Sequence, residues 1–491
     1  MKNPMTPARS PVLLALLPLA SPAAAQIAQI LDASGGGTGQ VLDAPAGLVV
    51  DTAGIVYVGG AASDNVFRIT PEGGVTLVMD SSGDGLGNPL EDARGVALDA
   101  SGNLYVAGST SHNVFRVTDP GLPAQTVTEI IDFTGDGSGN MLLGPHNLVV
   151  DGAGNLYVAG SSSDNVFRIT PAGAITRIAD GTGDGLGNPL DAPEDLALDG
   201  AGNLYVSGAI SDNAFRITNP AGAAVVSEII DFTGDGAGKS LNSARGIAAD
   251  GPGNVFVAGT VSSNVFWITP GGAITEIMNV SGDGVGNPLS LPRDLVLDGS
   301  GNIYVAGNGS SFKITPGSGV TVLIDGTGDG AGNPLDLPLG IATDWAENVY
   351  LSGFLSDNVF RVGSLPLESG VAQLSLSAGG VQPLVLDAGA SNGGALHLLL
   401  GTATGTSPGQ PFGPSTLPLN LDPYFLFTLA SPGAPPLAGS LGVLDAQGQG
   451  TALLTVPPAT SPTLAGLLLH HAYVLVGSPF ASNPVPCGLI P

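Results

Sequence analysis

Seven equivalent positions, 46 to 52 residues apart, read Ala46, Arg94, His146, Glu194, Arg245, Arg293 and Leu339. A position that serves only the scaffold keeps one residue type; this one changes from copy to copy. The chain has 13 Lys and Arg against 41 Asp and Glu, and three of the 13 are Arg94, Arg245 and Arg293. Three arginines, a histidine and a glutamate converging on one point suit an anionic or polar ligand, because a guanidinium grips a carboxylate through two parallel hydrogen bonds. His146, in Pro145-His146-Asn147, is the best single candidate for a general base or metal ligand, with Glu194 as its acid partner. Zinc would want three or four His, Cys or carboxylate ligands, and the only other histidine before residue 397 is His112.

A second recurrent set is acidic. The segment D-x-S/T-G-D-G-x-G occurs five times, with Asp80 and Asp84, Asp132 and Asp136, Asp180 and Asp184, Asp231 and Asp235, and Asp325 and Asp329. Oxygen ligands at loop positions one, three and five, glycine at six and a carboxylate at twelve are what a calcium loop supplies. Three copies meet that pattern: Asp80 and Asp84 with Glu91, Asp180 and Asp184 with Asp191, and Asp325 and Asp329 with Asp336. Calcium is therefore the one cofactor the sequence suggests. The competing reading is a Gly-Asp-Gly turn repeated because each unit needs the same turn.

The elements that carry these residues follow from the repeat. D-x-x-G-N-x-Y-V-x-G recurs at Gly102-Asn103, Gly154-Asn155, Gly202-Asn203, Gly253-Asn254 and Gly301-Asn302, with degenerate copies at Gly54 and Glu347. Seven units of this length with four short strands each are the period of a β-propeller blade. In the third unit alternation and turn residues give strands over 148–151, 155–159, 165–170 and 174–180. The varying position falls just before each first strand, at the mouth of a central channel. The residue after it reads Gly47, Gly95, Asn147, Asp195, Gly246, Asp294 and Gly340, an interchange expected of positive φ. Asp51, Asp99, Asp151, Asp199, Asp250, Asp298 and Asp344 end the first strands, where an aspartate closes the following turn. A basic residue recurs in the third strands (Arg68, Arg116, Arg168, Arg216, Lys313, Arg361), with Trp267 in the fifth unit, and pairing with a nearby carboxylate is expected. The seventh unit lacks a fourth strand. Residues 27–32 resemble fourth strands elsewhere and should complete it, since an open ring would expose an edge.

The unit G-x-G-N-P-L-x-x-P-x-G-x-A-x-D-x-x-G-N-x-Y-V-A-G followed by N-V-F-R-I-T resembles the NHL-repeat propellers over residues 27–362. That superfamily includes adhesion and sensor modules, gluconolactonase-like hydrolases and virginiamycin B lyase, so the resemblance implies a fold rather than an activity.

Composition sets the remaining bounds. Gly (76) and Pro (39) are abundant and charged residues make up 11% of the 491 positions, which disfavours long helices and favours an all-β chain. Residues 1–25 read as a signal peptide: Lys2 and Arg9, a short apolar run, then Ala23-Ala24-Ala25. Losing it takes the formal charge from −28 to −30, which excludes nucleic acid and anionic membranes as natural partners. Cys487 is the single cysteine, so no internal disulfide forms despite export. No segment is apolar for long enough to span a membrane as a helix. The expected domains are a signal peptide (1–25), a seven-bladed propeller (26–362), a linker (363–370) and a C-terminal β-sandwich (371–491). The sandwich has strands at 373–377, 383–386, 396–400, 424–429, 452–456 and 472–476, and the run from Leu396 to Pro491 resembles a module of secreted bacterial proteins. No nucleophile elbow, phosphate loop or Cys-His pair occurs. The expected function is a secreted, non-enzymatic binding platform for an extracellular polysaccharide, peptide or protein. The alternative is a lyase or lactone hydrolase using His146 and Glu194 with the three arginines.

Overall fold

The computed structural model describes residues 27–491 apart from 72, 318, 345–346, 364–366, 370, 372, 390–391, 407–408, 413–414, 479 and 483. The expected signal peptide lies outside the described residues. From Ile27 to Val362 the chain forms seven four-stranded antiparallel sheets. In the third, Pro145–Val150, Leu156–Gly160, Asn165–Ile169 and Ile175–Ala179 lie side by side in chain order.

The recurrent motif is legible in the hydrogen bonds of each first turn. Asp151 Oδ1 accepts from the backbone N–H groups of Ala153 (2.9 Å) and Asn155 (2.8 Å). Its Oδ2 accepts from Asn155 Nδ2 (2.8 Å) and from the Tyr157 hydroxyl (3.1 Å). Gly154 supplies the left-handed residue at φ +80°. Every conserved letter of D-x-x-G-N-x-Y thus has its own bond or angle.

The third-strand basic residues depart from expectation. None of the ion pairs found among the described residues involves them. Each instead stands opposite the second-strand tyrosine: Tyr57 faces Arg68, Tyr105 faces Arg116 and Tyr157 faces Arg168. The Lys313 ammonium lies 5.3 Å from the centre of the Tyr304 ring, the geometry of a cation–π contact. Where Phe256 replaces the tyrosine, Trp267 replaces the arginine across from it. The two positions change together because they form one cross-strand pair.

Sheets are joined face to face by apolar cores. Each contains side chains of two successive sheets, as where Phe115, Val106 and Leu104 pack on Tyr57, Val66 and Met79. One phenylalanine per sheet, from Phe67 to Phe360, is fully buried. The first strands touch in succession around the ring, and Pro338–Thr343 returns to Pro45–Val50. As expected, Ile27–Leu31 is the fourth strand of the last sheet, with Ile27 opposite Val362 and Gln29 opposite Phe360.

Beyond Val362, a four-stranded and a five-stranded sheet share one core that includes Leu384, Leu454, Leu399 and Tyr473. Two sequence expectations change here. Pro423–Ala430 is an α-helix rather than a strand: Asp422 caps it by accepting from Phe425 N–H at 2.7 Å, and Pro423 opens it. The expected linker is partly strand, since Leu367–Glu368 pairs with Val385 and Leu386, and Leu367 is buried in that core. No helix among the described residues is long and apolar enough to cross a membrane.

Candidate functional site

The first strands do more than line the channel. In the third sheet Pro145 faces Gly160, but the next paired residue is Leu148, opposite Val158, so His146 and Asn147 stand outside the ladder. The same skip occurs between Pro45 and Leu48, Ala93 and Val96, Pro193 and Leu196, and Ala244 and Ile247. Such a bulge re-aims a side chain that a regular strand would commit to one face. In the seventh sheet only Leu339 is skipped, between Pro338 and Gly340, and in the sixth Arg293 stands just before a regular strand, Asp294–Leu297. Ala46, Arg94, His146, Glu194, Arg245, Arg293 and Leu339, one from every sheet, all line a single cavity of about 110 Å³. The varying position read from the sequence is therefore a real ring of neighbours.

The residues that follow it need a different account. None of Gly47, Gly95, Asn147, Asp195, Gly246, Asp294 and Gly340 has positive φ. The left-handed backbone lies two residues before the ring position, at Ala44, Asp92, Gly144, Ala192, Ser243, Leu291 and Leu337. Glycine is required for space instead: a Cβ on Gly47 would sit 2.1 Å from Arg94 O, and one on Gly340 would sit 2.4 Å from Ala46 O. Where Asn or Asp stands there, its side chain bonds across the joint. Asp195 Oδ2 accepts from Ile247 N–H at 2.8 Å and Asp294 Oδ2 from Ile341 N–H at 3.0 Å. Asn147 Nδ2 donates to Asp195 Oδ1.

Most of the cavity's charge is already paired. Arg94 Nε lies 2.8 Å from Asp92, and Arg245 Nη1 lies 2.5 Å from the carboxylate of Glu194. Arg293 differs: its Nε is buried without a hydrogen-bond partner. Burial, then Arg245, loosen its hold on its proton, yet a guanidinium stays charged at any physiological pH. Burial likewise lowers the His146 pKa, with Glu194 opposing and the arginines assisting, so the ring is neutral at pH 7. His146 Nδ1 lies 3.2 Å from the backbone oxygen of Glu194, while the Glu194 carboxylate is engaged by Arg245. Burial drives Asp294 up to about 7, and drives Asp195 up with help from Asp294. The sequence pattern marks these two carboxyl groups only as backbone devices. Only the three-dimensional ring reveals them as buried acids.

His112 lies outside the cavity. It occupies a turn position held by Asp64, Asp164, Asp212 and Asp357 in other sheets, where the aspartate accepts a backbone N–H from the next sheet. His112 Nδ1 accepts from Gly144 N–H at 3.1 Å in the same way.

The aspartate loops hold themselves together. Asp80 Oδ1 accepts from Ser82 N–H and Oγ, and Asp84 accepts from Leu86 N–H and Asn88 Nδ2. Asp180, Asp184, Asp325 and Asp329 repeat this arrangement. Among the described residues no group of three or more His, Cys, Asp or Glu is placed to hold a metal ion. Glu91, Asp191 and Asp336, at position twelve, therefore do not complete a cluster with the aspartates that begin their loops. In these loops the carboxylates at positions one and five accept hydrogen bonds from their own turns.

The sheets and their central mouth define a β-propeller. The SBBP beta-propeller repeat matches residues 86–116, which run from one connecting loop through two strands and into the third of the second sheet. Virginiamycin B lyase from Staphylococcus aureus has a similar fold, at 14% identity and a TM-score of 0.53, covering 70% of this chain and all of that one. A catalytically inactive histidine-to-alanine variant of that lyase, with quinupristin, matches equally well. A streptogramin B lyase structure matches at 14% identity and a TM-score of 0.53, covering 69% of this chain and 97% of its own. These likenesses establish the fold. A search of curated protein sequences finds no match.

Proposed function

We propose that this chain is an exported, non-enzymatic binding protein whose seven sheets act as the blades of one closed propeller. Its C-terminal pair of sheets serves as a sandwich for attachment or association. The ligand is a polysaccharide, peptide or protein of the cell exterior that presents a carboxylate to the channel mouth. Export rests on the leader-like residues 1–25. One observation carries the binding reading: Arg293 holds a buried Nε without a partner in a cavity where Arg94 and Arg245 are already paired. A cavity of about 110 Å³ suits a single charged group, since sites for whole ligands run to about 300–1,000 Å³. The net charge of −28 repels polyanions at long range, which favours one local carboxylate over a polyacid. The test is a melting curve with propionate and with propionamide. Propionate should raise the melting temperature because it favours the native state, and Arg293→Met should abolish the rise. Equal shifts with the neutral amide would overturn the proposal.

His146 supports a second reading, a lyase or lactone hydrolase. It is the one histidine lining the cavity and is neutral at pH 7, and the similar lyase has a catalytically inactive histidine variant. Ester elimination and lactone opening assayed with the unaltered chain and with His146→Ala decide it: turnover that survives the substitution excludes this role.

A further inference from the structure

The rim above the cavity is built from the turns between second and third strands, and it is not uniform. The tip residue of each turn is fixed by one equivalent backbone bond, as from Ala62 N–H to Asp43 O and from Ile210 N–H to Asp191 O. In the first three blades the tips are small or polar: Ala62, Thr110 and Ser162. In blades four, five and seven they are large, apolar and exposed: Ile210 (69%), Val261 (63%) and Leu355 (60%). Blade six is different again. Its turn is two residues shorter, with five positions instead of seven from the glycine (Gly307) to the buried phenylalanine (Phe312). Its tip, Asn308, bonds Ser290 O and is half-buried. The rim therefore dips between two apolar tips, and the blade that dips is the one that supplies Arg293.

We infer that this notch receives the C-terminal end of a polypeptide, its terminal carboxylate on Arg293 and its last apolar side chains on Val261 and Leu355. The inference rests on the carboxylate-binding reading above and names its ligand class. Charge complementarity selects the carboxylate, and cavity size limits entry to a chain end. Exposed aliphatic side chains on both sides of the notch match a peptide's apolar side chains and offer an acidic sugar's hydroxyls nothing to bond.

Fluorescence anisotropy of the full chain tests it. The probes are a labelled octapeptide mixture, random at six positions and ending in Val-Leu with a free carboxylate, the same mixture as C-terminal amides, and labelled trigalacturonate. The free acids should bind about tenfold or more tighter than the amides, the loss expected for a hydrogen-bonded charge. They should also outbind trigalacturonate. Val261→Ser and Leu355→Ser, both at exposed positions, should weaken peptide binding while leaving the propionate-induced rise in melting temperature intact. Equal binding of acids and amides, tighter binding of trigalacturonate, or no peptide binding overturns the inference while the propionate shift still upholds the pocket. Loss of the propionate shift itself overturns both.

Discussion

Asp294 of the sixth sheet accepts a hydrogen bond through Oδ2 from the backbone N–H of Ile341 in the seventh, at 3.0 Å. Its other oxygen accepts from its own neighbour Leu295 at 2.7 Å. One carboxyl group thus joins two blades at the channel wall, as Asp195 joins blades four and five.

This joint makes stability depend on pH in an unusual direction. Asp294 is raised to about 7 from an ordinary 3.8, and Asp195 is raised too. The folded chain therefore holds protons that the unfolded chain releases, and this contribution is complete below about 4 and lost as pH rises through 7. The aspartates of the connecting loops, held low by their hydrogen bonds, act oppositely and lose their contribution below about 4. Melting temperature should accordingly peak on the acidic side of neutrality. Asp294→Asn should flatten its fall between pH 5 and 8 while costing about 1–3 kcal/mol for one unpaired N–H. A flat profile in the unaltered chain would count against the buried-acid account.

The interblade phenylalanines should be the costliest single truncations. Phe167 is fully buried in the core between the second and third sheets, with Leu148 and Val158 of its own sheet, Leu142 of the loop leading into it, and Tyr105 and Val114 of the preceding sheet around it. Phe167→Ala should lose about 3–5 kcal/mol in denaturant unfolding. A loss under about 1 kcal/mol would mean that the joint collapses around the gap.

Blade five allows a gain. Phe256 stands where other blades place a tyrosine hydroxyl on the turn aspartate, at 2.9–3.1 Å in Tyr205, Tyr105 and Tyr157. Phe256→Tyr should bond Asp250 in the same way and stabilise by about 0.5–1.5 kcal/mol. Combining it with Trp267→Arg should give a non-additive double-mutant cycle, since the two face each other. Strict additivity would show that the pair exchanges without contact energy.

Chelation should leave the melting temperature unchanged, because the loop carboxylates already accept hydrogen bonds from their own turns. Asp84→Ala should lower it by removing two of those bonds. A drop on adding EDTA to the unaltered chain would place calcium in these loops.

Repetition made most of this fold readable, because a position seen seven times reveals its role by what it tolerates. Strand order, the closing segment and the seven ring positions all followed from that comparison. The reason for Gly47 and Gly340 did not, since a close approach between blades is a contact at long range and leaves the same glycine signature as positive φ. The bulge that turns His146 into the cavity left no mark at all. In the C-terminal region, where nothing repeats, Tyr424 to Leu429 reads as one of several strand-like runs separated by proline and glycine; the deciding signal was the Asp422-Pro423 cap just before it. The tyrosine partner of each third-strand arginine was visible only as the joint change to Phe256 and Trp267.

Pairing Ile27 with Val362 has a consequence for timing. The strand that closes the ring is among the first residues of the array to be synthesised and the last able to dock, because its partner is completed only at the end. Until then the seventh sheet has no outer strand, and every earlier intermediate carries a bare edge. Assembly of the finished ring must wait for the whole array, so a chain interrupted anywhere before Val362 has no closed form to adopt.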